Sequence, residues 1–178
     1  DQVGLEQRGN VVSDNIKLDM IALGYAYNSR DFLIATASLE SNLTSPVRYF
    51  LLCSAIELAL KSIHLNCLES EQVQKFGHNL LVAYNNLPSD QQMLTADELN
   101  SVSKANEKYS NKGSTGGFAY FNALDAANQY VSYPDIKWLT SAANKLVELA
   151  ESLATITFDT PKGRLSVNPS RHIVKGLK

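Results

Sequence analysis

Apolar positions along this chain recur with a period near 3.6 residues, the mark of helices that each bury one face. The first such run covers 14–41, with Leu18, Ile21, Ala22, Tyr25, Phe32, Leu33, Thr36 and Leu39 on its apolar side. Gly24, Asn28 and Ser29 weaken its middle, so a kink or break is expected there. Ser45 is a good N-cap and Pro46 suits the first helical position, where its missing N–H costs nothing. From there the pattern predicts a second helix to about Asn66. Its apolar residues (Val47, Phe50, Leu51, Leu52, Ala55, Ile56, Leu58, Ala59, Leu60, Ile63) cover most of the circumference, which makes it the central element of a core.

A polar loop around 69–74 leads to Lys75-Phe76-Gly77-His78-Asn79 and a short apolar helix, Leu80 to Leu87, stopped by Pro88. Thr95, with Glu98 three residues on, forms a capping box for a helix over 96–109. That helix is mostly polar and is expected on the outside. Ser110 to Gly117 reads as a loop and 121–129 as a short helix. A last helix opens at Pro134-Asp135 and presents Trp138, Leu139, Ala142, Leu146, Leu149 and Leu153 on one face. Beyond it the period shifts toward alternation. Thr155-Ile156-Thr157-Phe158 and Leu165-Ser166-Val167 flank a turn-forming stretch and fit a two-stranded hairpin. The fold class is therefore all-α, a bundle of four to five helices with a short C-terminal β-hairpin. It divides into a flexible N-terminus (1–13), the bundle (14–156) and a tail or hairpin (157–178).

Composition narrows the function classes. A chain of 178 residues with 44% hydrophobic and 19% charged residues has an ordinary globular make-up, and a domain of this size buries about 70% of its unfolded surface. Its net charge of −2 creates no overall field toward nucleic acid or anionic membranes. Locally the balance differs: from Ala154 onward Lys162, Arg164, Arg171, Lys175 and Lys178 face only Asp159. Lys162, Arg164, Arg171 and Lys175 are thus the candidates for nucleic-acid contact. Trp138 and Tyr133 read as core and interface rather than as base-stacking groups. Cys53 and Cys67 lie about 21 Å apart along one helix, too far to bridge, and are expected as buried, reduced thiols. No apolar run reaches the roughly 18 residues of a membrane span, so a cytoplasmic location is expected. The histidines lack metal-ligand spacing and Gly113 to Gly117 lacks the ending of a P-loop, so neither a metal nor a cofactor is expected.

Candidate chemistry concentrates in the second helix. Glu57, Lys61 and His64 are spaced i, i+4, i+7 and fall within about 60° of arc. One reading is a solvated strip with a favourable Glu-before-Lys pair. The other is a cleft or partner-facing surface, because a helix apolar nearly all round has little surface left over. His78 follows a glycine directly before a helix and is placed to turn back toward the strip, with Lys75 close by in sequence.

The stretch from Ser45 to Lys61, with its Ile56-Glu57-Leu58-Ala59-Leu60-Lys61 pattern, followed by Gly77-His78-Asn79-Leu80, resembles HEPN-domain proteins of prokaryotes. The resemblance implies a helical bundle that commonly forms homodimers and occurs in toxin–antitoxin and phage-defence systems, with a nucleotidyltransferase as one expected partner protein. Active members are metal-independent ribonucleases marked by an Arg with a His four to six residues beyond it. Here Arg8, Arg30, Arg48, Arg164 and Arg171 are each without a histidine in that window.

Three readings follow. The first is a non-catalytic HEPN-like binding module for RNA, a nucleotide or a protein partner, with Glu57, Lys61, His64, His78 and Lys75 as ligand-binding residues. The second is a metal-independent endoribonuclease with a non-standard site built from Glu57, Lys61, His64 and His78. The third is a structural dimerisation bundle. The absent motif tilts the balance away from an enzyme.

Overall fold

The computed structural model describes residues 3–39, 46–68, 70–110, 134–160 and 163–167. Four main helices pack as a bundle: α1 (Val3–Ser38), α2 (Pro46–His64), α5 (Ala96–Tyr109) and α6 (Ile136–Leu153). Two short helices, α3 (Ser70–Lys75) and α4 (Leu80–Asn85), and a 3₁₀ turn (Ser89–Gln91) connect α2 to α5. Strands β1 (Ile156–Thr160) and β2 (Gly163–Val167) follow as an antiparallel pair, in register from Ile156 opposite Val167 to Thr160 opposite Gly163.

The sequence expectation for α2 as the central helix matches its packing against α1, α4, α5 and α6. Leu52, Cys53, Ala55, Ile56, Ala59, Leu60 and Ile63 are completely buried. Val47 and Phe50, expected in that core, are instead exposed.

Helix α1 starts at Val3 rather than near 14, and it runs through Gly24, Asn28 and Ser29 without the expected break. Its buried stripe shows why. Ala22, Ala26, Ser29, Leu33 and Thr36 repeat every three or four residues, a heptad-like seam of mostly small side chains that lets α1 approach α2 closely. Ser62 Oγ on α2 donates to the Ala22 carbonyl (2.8 Å) across this seam, and Ser29 Oγ donates back to the Ala26 carbonyl (2.7 Å). The hydroxyl that suggested a weak helix is a packed, satisfied contact.

The loop expected over 69–74 is instead mostly α3, a helix too short and polar to show a period. Val73 alone anchors it in a small cluster with Ala22 and Leu65. The expected capping box of α5 forms: Thr95 Oγ1 accepts from the Glu98 N–H, and Glu98 Oε2 accepts from the Thr95 N–H (2.8 Å). Helix α5 is less peripheral than its polar sequence suggests, because Ser101, Val102, Ala105 and Asn106 form a buried face of small or hydrogen-bonded residues.

Two ion pairs lock α6 to the bundle. Arg30 on α1 grips Glu151 with one edge of its guanidinium, Nε donating to Oε1 (2.8 Å) and Nη2 to Oε2. Buried Glu98 accepts from Ser141 Oγ (2.6 Å) and Lys145 Nζ (2.8 Å). Burial opposes charge on Glu98, but these donors and the Thr95 N–H outweigh it and hold the carboxyl at about 2. Cys53 is buried as expected, whereas Cys67 is exposed because it lies just past the end of α2. Among the described residues no helix is long and apolar enough to cross a membrane.

Candidate functional site

Phe50, Ser54, Glu57 and Lys61 sit at i, i+4, i+7 and i+11 on α2 and form one continuous strip. Tyr109, at the last position of α5, lies along it. Its ring centroid is 6.3 Å from that of Phe50, its hydroxyl is 3.4 Å from Ser54 Oγ, and the same hydroxyl donates to Glu57 Oε2 (2.6 Å). Glu57 is the hub of the group. Lys61 Nζ donates to its Oε1 (2.5 Å) and His78 Nδ1 to its Oε2 (2.9 Å).

His78 reaches α2 because of the residue before it. Gly77 adopts φ +54°, a left-handed conformation that glycine enters without Cβ strain, and this reverses the chain after α3. The new direction is then fixed twice: Asn79 Oδ1 caps the Val82 N–H (3.0 Å), and Asn106 Oδ1 on α5 accepts from the Leu80 N–H (2.7 Å). The His78 side chain ends up 64% exposed, whereas that of Glu57 is only 9% exposed.

The electrostatics follow from that contrast. Burial disfavours charge on Glu57, but hydrogen bonds from Lys61, Tyr109 and His78 outweigh it and hold the carboxyl below its ordinary range. Burial, reinforced by the bond to Glu57, pushes the Tyr109 phenol far up. Tyr109 therefore stays protonated and serves as a fixed donor. By donating its Nδ1–H to the carboxylate, the largely exposed His78 ring is held in one orientation. A carboxylate that orients an imidazole in this way sets the tautomer used to accept a hydrogen bond or a proton.

His64 does not join this group. It is 1% exposed, its Nε2 donates to the Ala83 carbonyl (2.8 Å), and its ring lies 4.5 Å from that of Phe76. Burial, only partly offset by the Ala83 bond, pushes its pKa down, so it is a neutral core residue. Helical spacing placed it on the correct side of α2, but α4 covers that end of the strip. Lys75 is exposed at the end of α3 and has no ion-pair partner among the described residues. The sequence-based site thus contracts to Glu57, Lys61 and His78. Tyr109, Ser54 and Phe50 are the members that sequence reasoning missed. The strip 50/54/57/61 was legible in the spacing, but nothing local ties Tyr109 to it from 52 residues beyond Glu57.

Lys162, Arg171 and Lys175, the helix expected over 121–129, and Tyr133 lie outside the described residues. Of Arg164 the backbone is described, paired opposite Asp159. Trp138 is half-buried on α6, with Lys137 Nζ 5.1 Å above its ring. Among the described residues no cluster of His, Cys, Asp or Glu is arranged to hold a metal ion.

Among the described residues, fold and site together define a helical bundle with one carboxylate-oriented imidazole at its surface. Comparison with family models, with curated proteins and with solved structures found no match for this chain.

Proposed function

We propose that this chain is a non-catalytic, HEPN-like binding module that recognises RNA or a nucleotide through Lys61, His78 and the surface around them, with Glu57 as the organising group. The observation that carries the reading is the withdrawal of His64 into the core. Cleavage of RNA without metal needs one group to take the proton of the attacking hydroxyl and another to protonate the leaving oxygen. With His64 sealed and Tyr109 held protonated, a single imidazole among the described residues is left at the strip. One oriented imidazole beside a lysine suits recognition of hydroxyl and phosphate groups.

The basic tail residues Lys162, Arg164, Arg171 and Lys175 would add sequence-independent phosphate contacts. The HEPN resemblance adds homodimerisation, a cytoplasmic toxin–antitoxin or phage-defence setting, and a partner such as a nucleotidyltransferase. It rests on the 45–61 and 76–81 motifs. One observation favours a second reading, metal-independent ribonuclease: the Glu57 to His78 hydrogen bond is the arrangement that orients a general base.

A labelled single-stranded RNA titrated with the protein in metal-free buffer, then run on a denaturing gel, separates the two. We expect saturable binding, weakened about tenfold by His78→Ala, with the RNA intact. Cleavage that disappears in His78→Ala would establish the ribonuclease instead. Absence of saturable binding at micromolar protein and moderate salt would refute both readings.

A further inference from the structure

We propose that the arm formed by α3, the Gly77 turn and α4 is an acid-released latch: it docks on α2 while His64 is neutral, and carries His78 away from Glu57 when His64 takes up a proton. The latch concerns how the site is assembled and holds whether or not the site binds RNA. Two imidazoles join the arm to α2, one from each side. His64 on α2 donates from Nε2 to the Ala83 carbonyl of α4 (2.8 Å), and His78 on the arm donates from Nδ1 to Glu57 Oε2 of α2 (2.9 Å).

The arm depends on such contacts. Helices α3 and α4 have six residues each, too few to persist in isolation, so the arm keeps its shape only while it is docked. Val73 sits with Ala22 and Leu65, and Leu80, Ala83 and Tyr84 enter the main core. Gly77, at φ +54°, is the joint between the two helices. His64 lies beneath this arm, its ring 4.5 Å from that of Phe76 and only 1% exposed.

A neutral ring suits that place and a charged one does not. With Nε2–H committed to Ala83, a second proton would go to Nδ1, which has no hydrogen-bond partner among the described residues, and the charge would be held away from water. The ionisable groups around the ring do not compensate. Lys61 and Glu57 on α2 are paired with each other, Glu71 and Lys75 on α3 are exposed, and the Tyr84 hydroxyl on α4 accepts from the Leu94 N–H. Burial accordingly dominates His64 and pushes its pKa down, opposed only by the Ala83 bond. Undocking returns the ring to water, where it binds the proton more readily, so acid favours release. His78 responds in the opposite sense, because its protonated ring pairs with the Glu57 carboxylate, but it is 64% exposed and water screens that gain.

The test follows amide exchange in the full chain by nuclear magnetic resonance at pH 7 and pH 5.5, corrected for the intrinsic rate at each pH. The Leu80 and Ala83 amides, bonded to Asn106 Oδ1 and to the Asn79 carbonyl, should lose protection relative to Leu146 and Val147 of α6. The expected loss is about three- to tenfold, since one proton shifts an opening equilibrium by at most about tenfold per pH unit. His64→Gln, which keeps a donor for Ala83 and takes up no proton, should abolish the loss, whereas His78→Gln should leave it in place. No loss in the arm, or an equal loss in α6, overturns the latch; so does a loss that persists in His64→Gln or vanishes in His78→Gln. If circular dichroism shows His64→Gln to be unfolded, the wild-type ring signals decide. A His64 titration midpoint that coincides with arm release supports the latch, and titration of His64 without arm release overturns it.

Discussion

Replacing Glu57 by Gln keeps the shape of the hub and removes its charge. The buried carboxylate accepts from Lys61, His78 and Tyr109; the amide retains one acceptor oxygen, so at least one donor loses its partner and the others face a neutral group. The loss is uneven. His78 is largely exposed and water replaces its bond, and Lys61, 18% exposed, recovers part of its hydration. The Tyr109 phenol, its ring flanked by Phe50 and His78, recovers least. One charge-assisted hydrogen bond is worth about 1.5–3 kcal/mol, which places the expected destabilisation at about 2 kcal/mol.

Urea denaturation at neutral pH measures this loss directly. The pH dependence supplies a second check. Because the folded carboxyl titrates below its ordinary 4.5, its contribution is present above about pH 4.5 and is lost as pH falls through the folded-state value. The gap between wild type and Glu57→Gln should therefore shrink on acidification. In a double-mutant cycle with Tyr109→Phe, the two losses should add to less than their sum, since both remove the same bond. A loss under about 0.5 kcal/mol at pH 7, or a gap that widens in acid, would refute the hub.

Gly24 lies inside α1 with open space where a Cβ would go, so Gly24→Ala should stabilise by about 0.5–1 kcal/mol in thermal or urea unfolding; the same change at Gly77, with its positive φ, should destabilise by about 1–2 kcal/mol. Buried His64 makes the fold acid-sensitive: its folded pKa lies below 6.5, so the unfolded chain takes up a proton first and stability declines as pH drops below about 6.5. That decline should be reduced in His64→Gln, measured as the difference between the two unfolding curves from pH 7 to 5; identical slopes would count against a neutral buried ring.

Much of the bundle was legible in the chain because it is encoded locally. The Pro46 start of α2, the Thr95/Glu98 box of α5 and the one-face pattern of α6 each depend on residues within a turn or two of one another, and local hydrogen bonding and periodicity determine them. The Glu57 and Lys61 pair belongs with these, being a property of helical spacing alone.

What tertiary structure decided is what lies across from each helix. Spacing puts Glu57 and His64 on the same side of α2, yet α4 seals His64 against Ala83 and Phe76, while Tyr109, from the far end of α5, binds Glu57. Ser29 looked like a helix weakener and is fully buried, its hydroxyl satisfied by the Ala26 carbonyl within α1. His78 reaches Glu57 only because Gly77 reverses the chain at positive φ. A sequence states which face each residue occupies; only the packing of one element on another states whether that face meets water, a core or a hydrogen-bond partner, since burial is a property of pairs of surfaces and not of single segments.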